Sequence, residues 1–180
     1  MTGAKGDVAV NPLELVFPEN SLMTADPTLQ EFIEMEVVLD SGAGAHVASR
    51  AHIPGYAVLP SILSKAGAAF VGADGSRIKN HGEAALQLVT VDRHGREHAV
   101  HSKFQIADVT RALWSVGVIC DSGLRVVFTK ETAAVLDAQG KELCHFDRQQ
   151  GLYIAKVKLK NPMYGQAGET QAAGFHRQGS

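Results

Sequence analysis

Met35-Glu36-Val37-Val38-Leu39-Asp40-Ser41-Gly42-Ala43 is the stretch on which the reading of this chain turns. Its first five residues are apolar and β-branched enough to predict a strand. Asp40 falls where that strand gives way to a tight turn. Gly42 lets the backbone fold closely and Ser41 supplies a hydroxyl that can pin the turn. Such an arrangement can present a carboxylate rigidly at the floor of a cleft. Asp-Ser-Gly also makes ordinary surface turns, so its neighbours must decide the matter.

Outward from Asp40 the pattern is one of short strands and frequent turns. Ala73-Asp74-Gly75-Ser76 and Asp92-Arg93-His94-Gly95-Arg96 are hairpin signals, Ala85 to Val91 is a strand beside them, and His98 to Val109 contains another that ends near Phe104 to Ala107. Leu113 to Cys120 is an apolar run with both helical and strand potential. Asp121-Ser122-Gly123 turns into the strand Leu124 to Phe128. Thr132–Leu136 and Lys141–Phe146 flank the turn Asp137-Ala138-Gln139-Gly140, and Gly151-Leu152-Tyr153-Ile154 opens the last strand. Between residues 49 and 70, Pro54-Gly55 and Pro60 break regularity around a short helix at Ser61–Ala69. Turns every eight to twelve residues predict an all-β domain over 31–158. Residues 1–30 read as an extended, weakly ordered lead-in, and 159–180, rich in Gly, Gln and Ala, as a disordered tail.

The bulk properties set the class. The chain has 180 residues, 45% of them hydrophobic, which suits one domain with a real core. A net charge of −2 gives no pull toward nucleic acid or anionic membrane. Cys120 and Cys144 make no disulfide framework and fit free thiols in a reducing compartment, the cytoplasm. No apolar stretch reaches bilayer length, and residues 1–11 have no signal-peptide core.

Taken in order, these segments resemble the protease region of a copia-type retrotransposon polyprotein, a retropepsin-like family. The family's Val-Leu-Asp-Ser-Gly-Ala-Ser-Ser-His is similar to Val38-Leu39-Asp40-Ser41-Gly42-Ala43-Gly44-Ala45-His46. Its Ala-Asp-Gly-Ser hairpin, followed by Gly and an apolar strand, matches Ala73 to Ser76, Gly82 and Leu86-Gln87-Leu88. A stretch like Leu-Leu-Ser-Val-Ser-Gln-Leu-Cys-Asp-Lys-Gly matches Leu113 to Gly123, followed by Val126-Val127-Phe128. Gly-Leu-Tyr-Val matches Gly151 to Ile154, so that about 140–158 resembles the entry to a pre-integrase region. The likeness spans about residues 33–157.

The resemblance implies a retropepsin-like closed barrel with one short helix and an active site at a homodimer interface. It implies an aspartic endopeptidase with Asp40, Ser41 and Gly42 catalytic, and with Ala43, Asp74, Gly75 and Ser76 contacting substrate. The substrate would be an extended polypeptide bound as an added strand under the Asp74-Gly75 hairpin, in the cytoplasm or within retroelement particles. No cofactor, metal, nucleic acid or membrane partner is implied. Two departures stand out. Gly44 replaces a Ser or Thr, removing a supporting hydroxyl. Ser115 stands where many retropepsins have a Gly under the catalytic loop, although copia-type members often carry Ser. The alternative is a decayed or domesticated domain that binds peptides or proteins without cleaving them.

Other candidate constellations read as structural. Asp121-Ser122-Gly123 does not repeat the first loop's context and reads as a helix end capped by Gly123. His94, His98 and His101 have metal-like spacing, but on a hairpin His98 and His101 face opposite ways. Cys144-His145 with Cys120 lacks paired spacing. Trp114 reads as core, His46 as a loop-orienting or niche-filling residue, and Lys156, Lys158 and Lys160 as one solvated strand face.

Overall fold

The computed structural model describes residues 26–166. Ten strands form the bulk of it: β1 (Phe32–Asp40), β2 (Val47–Ala48), β3 (Ala69–Val71), β4 (Arg77–Val91), β5 (Glu97–Ala107), β6 (Ala112–Ser115), β7 (Arg125–Phe128), β8 (Thr132–Leu136), β9 (Glu142–Gln149) and β10 (Leu152–Lys160). The helices are short: α1 (Ile62–Lys65), α2 (Val116–Asp121) and two 3-10 turns, Pro27–Leu29 and Arg50–His52. The described residues are therefore all-β, with two short α-helices among them where one was expected.

The sheet order is β3-β4-β5-β2-β6-β1-β10-β9-β8-β7, with a further pairing between β4 and β10. That extra pairing, Lys158 with Val89 and Leu159 with Leu88, closes the circuit β4-β5-β2-β6-β1-β10 on itself. The strands share one core in which Val37, Leu86, Leu88, Phe104, Ile106, Phe146, Val157 and Leu159 are almost completely buried. Strand periodicity produces it: along β4 the residues Ala84, Leu86, Leu88 and Thr90 point inward while their neighbours alternate outward. Thr90 is fully buried, and its hydroxyl donates to the Leu143 carbonyl at 2.6 Å, tying β4 to β9.

The apolar run at 113–120 divides into strand and helix at Ser115, whose hydroxyl caps α2 by accepting from the Val118 amide at 3.2 Å. Gly123 ends the following turn at φ 87°, as its reading as a helix cap requires. The helix expected at Ser61–Ala69 covers only Ile62–Lys65, because Gly67 takes φ 69° and the Ala68 amide folds back onto the Leu63 carbonyl.

Gly82 answers to a stricter constraint. It sits at φ 131° in a bulge of the β4–β5 pairing, and a Cβ there would lie 2.2 Å from the Leu59 carbonyl oxygen. That close approach lets Leu59 and Glu83 exchange backbone hydrogen bonds of 2.9 and 2.7 Å, anchoring the segment that crosses beneath the hairpin.

The boundary expected at 158 falls inside β10. Leu159 is completely buried, and the chain beyond is held to Gln166. The Asn161 amide donates to the Glu31 carbonyl at 2.8 Å, its side chain donates to the Gln30 carbonyl, and the Tyr56 hydroxyl donates to the Lys160 carbonyl. The remainder of the expected lead-in and tail, 1–25 and 167–180, lies outside the described residues. Among the described residues no helix is long and apolar enough to cross a membrane.

Candidate active site

Asp40 is the last residue of β1, and its strand neighbour in the parallel β1–β6 pairing is Ser115. The chain turns at Ser41 to Ala45 and returns as β2, whose Val47 pairs with Leu113 on the opposite edge of β6. The Asp40 loop therefore straddles β6. Its ends are fixed in the sheet, and only its crown is free to face solvent.

Short hydrogen bonds shape that crown. The Gly42 amide donates to Asp40 Oδ1 at 2.7 Å. A Cβ at position 42 would come within 3.3 Å of that oxygen, which is tight, so Gly keeps the carboxylate accessible to the amide. From below, the fully buried Ser115 hydroxyl donates to the Ala43 carbonyl at 2.6 Å. The Ser115 amide donates to His46 Nδ1 at 3.0 Å, and the His46 carbonyl accepts the Gln105 amide at 2.8 Å. Three elements (loop, β6 and β5) are thereby locked together beneath one carboxylate.

His46 is buried between Phe104 and Trp114, with ring centroids 5.2 and 6.1 Å away. Burial pushes its imidazole down to about 4, so the ring is neutral at neutral pH. Trp114 packs in turn on Phe146, in keeping with its reading as core.

Above Asp40 opens a groove of about 390 Å³. Its floor is Asp40, Gly42, Ala43 and Gly44. Phe70, Val71 and Ile78 of the β3–β4 hairpin wall it, and Val47, Val109 and Leu113 add further apolar lining. Asp40 is the sole carboxylate in this lining. Val71 is 72% exposed and leaves a large apolar surface at the rim. The arrangement can hold an extended apolar chain against one rigid carboxylate.

The structure thus brings Asp40, Gly42 and Ala43 into one groove with the hairpin. Ser41 stands exposed on the crown, with its side chain bonded to nothing among the described residues. Asp74, Gly75 and Ser76 form the hairpin tip, beyond the lining. The Asp74 carboxylate is used within the turn, accepting the Ser76 amide at 2.9 Å, and bonds from Ser76 hold it below the usual carboxylate range. The wall residues Phe70, Val71 and Ile78 escaped the sequence reading, although their position astride the hairpin turn was the available signal. Gly44 has no atom within 4 Å of a Cβ position and no positive φ, so the hydroxyl missing there is not excluded by space.

Of the histidines with metal-like spacing, His98 is engaged elsewhere. His98 Nε2 lies 3.0 Å from Asp92 Oδ2 at the far end of β5. Burial alone would raise the Asp92 carboxyl, but bonds from His98, the Arg96 and His94 amides and the Arg96 guanidinium hold it well below its ordinary range. Cys120 and Cys144 are free thiols, and burial pushes Cys144 up to about 12. Lys156, Lys158 and Lys160 lie exposed on β10, where Lys156 pairs with Glu34 and Lys158 with Glu97.

Comparison with protein-family models, with curated proteins and with solved structures finds no match to this chain.

Proposed function

We propose that this chain is an aspartic endopeptidase of the retropepsin type, working as a homodimer on extended polypeptide, with the six-strand circuit as its barrel. The observation that carries the reading is Asp40 itself: a strand-end carboxylate, braced from beneath by Ser115 and His46, at the floor of a groove walled by a hairpin. Peptide hydrolysis of this kind needs two carboxylates around one water, sharing a proton because like charges so close cannot both ionise. One chain's groove supplies one carboxylate, so a second copy must supply the other across a two-fold axis. Ser41, Gly42 and Gly44 are the exposed parts of the loop, able to meet that copy.

In such a site one Asp40 takes a proton from the water as it attacks the scissile carbonyl. The other protonates the carbonyl oxygen, and a proton then passes to the leaving amine. The pair titrates as a unit. The β3–β4 hairpin closes over the peptide, and Phe70, Val71 and Ile78 receive its apolar side chains. Retroelement polyprotein processing is the setting that the resemblance implies.

A non-catalytic peptide-binding module is the second reading, favoured by Gly44 in place of a hydroxyl residue. A mixed peptide library incubated with the protein across mildly acidic to neutral pH, beside Asp40→Asn, separates the two. Cleavage by the parent alone, blocked by a statine-type mimic, is the expected result. A folded, dimeric parent that cleaves nothing transfers the assignment to the binding module.

A further inference from the structure

A buried imidazole lies beneath the Asp40 loop at the point where the loop meets β6. His46 Nδ1 accepts the Ser115 amide at 3.0 Å, which puts the neutral ring's proton on Nε2. Ser115 is the strand partner of Asp40, and its hydroxyl reaches the Ala43 carbonyl at 2.6 Å. One ring nitrogen thus supports the residue that supports the loop. We propose that His46 is a positioning residue whose neutral ring holds Ser115, and through it the Asp40 loop, so that protonating the ring releases the loop and sets an acid limit on the site.

The chemistry is that of acceptor against donor. An imidazolium has two N–H groups and no acceptor, so the Ser115 amide would face another donor. The surroundings offer that cation nothing in return. β5 presents Phe104 to the ring and β6 presents Trp114 and the Ser115 amide, all uncharged. Gln105 bonds only the His46 backbone carbonyl, and its side chain turns to Asn80 and Glu83. β9 reaches the ring's neighbourhood through Phe146, packed on Trp114. The loop contributes Asp40, whose Oδ1 already receives the Gly42 amide. Burial is accordingly the single cause that lowers His46 to about 4. The clamp stands on geometry alone, and only its effect on cleavage rests on the aspartic-protease reading.

The test is a nitrogen-15 NMR titration of the whole chain from pH 7 to pH 3. It follows the His46 ring nitrogens and the Ser115, Gly42 and Gly44 amides. At neutral pH Nδ1 should be bare and Nε2 protonated. The Ser115 and Gly44 amides should then move with the His46 midpoint near pH 4. His46→Asn places a non-titrating amide oxygen where Nδ1 was, and should remove that midpoint from both amides. In cleavage assays the same event should lower the parent's rate about tenfold between pH 5 and pH 3, the fall in neutral ring for a midpoint near 4. The His46→Asn protein should lack that limb. Amides that ignore the His46 titration, or a ring protonated on Nδ1 at neutral pH, overturn the proposal even if the protein cleaves. Amides that follow His46 in a protein that cleaves nothing sustain the clamp and remove the protease reading. The parent titration decides the matter even if the variant does not fold.

Discussion

Replacing Ser115 by Ala removes one oxygen from beneath the Asp40 loop, and its cost can be worked from two bonds. The Ser115 hydroxyl donates to the Ala43 carbonyl at 2.6 Å and accepts from the Val118 amide at 3.2 Å. The first bond leaves a half-buried carbonyl without its donor, which costs about 1–2 kcal/mol when water only partly replaces it. The second is the N-cap of α2, whose loss costs about 1 kcal/mol. Ala fits the space, so no clash is added, and the sum is about 2–3 kcal/mol. Urea unfolding of parent and variant should therefore show a lower midpoint at unchanged slope. Hydrogen exchange should quicken at Gly42 and Val118 before it quickens in the β4–β5 hairpin. A loss under about 0.5 kcal/mol, or unfolding that spreads evenly through the sheet, would refute the claim that Ser115 braces the loop.

Gly82→Ala must take φ 131° with its Cβ 2.2 Å from the Leu59 carbonyl, and should lose more than about 2 kcal/mol in denaturant unfolding. A near-neutral result would mean that the Leu59–Glu83 contact is not formed. Gly44→Ser meets open space and should stay within about 0.5 kcal/mol of the parent, and a large loss would contradict the loop's geometry. His46 is held at about 4 against an ordinary 6.5, so the unfolded chain takes up its proton first. Its contribution is whole above pH 6.5 and is lost as pH falls to about 4, to a total of at most about 3 kcal/mol. The difference in unfolding free energy between parent and His46→Asn at pH 7 and pH 4 measures it, and an unchanged difference would sink the assignment.

How far the sequence carried the reading depended on whether neighbours in sequence were also neighbours in space. Met35, Val37 and Leu39 all turn into the core, and the turn at Asp137–Gly140 has Gly140 at φ 84°, so local pattern sufficed for both. The first half of β4 was signalled only by the hairpin turn before it, not by its own residues. Arg77, Lys79, Asn80, His81 and Glu83 look like loop, and the strand exists there because β3 and β5 pair with it on both sides. Buried Asn80 is tolerated because its side-chain nitrogen donates to Gln105 at 2.9 Å and its oxygen accepts the Gly82 amide. Asn161 sits at the head of a Gly- and Gln-rich stretch, yet bonds to residues 30 and 31, a contact that composition cannot announce. At the site, Asp40 and its glycine were visible as a motif. Ser115 could be placed under the loop only through the resemblance, and its bonds could not be read locally, because 75 residues separate the two members of one strand pair. The groove walls arise from three separate segments.

The most direct test mixes the parent with an increasing excess of Asp40→Asn and follows cleavage of one peptide found with the parent. If each site takes one Asp40 from each of two copies, the rate should rise more steeply than linearly with parent concentration when dilute. It should fall as the variant draws parent chains into mixed dimers. No cleavage at all, or a rate linear in the parent and unmoved by the variant, would contradict the account.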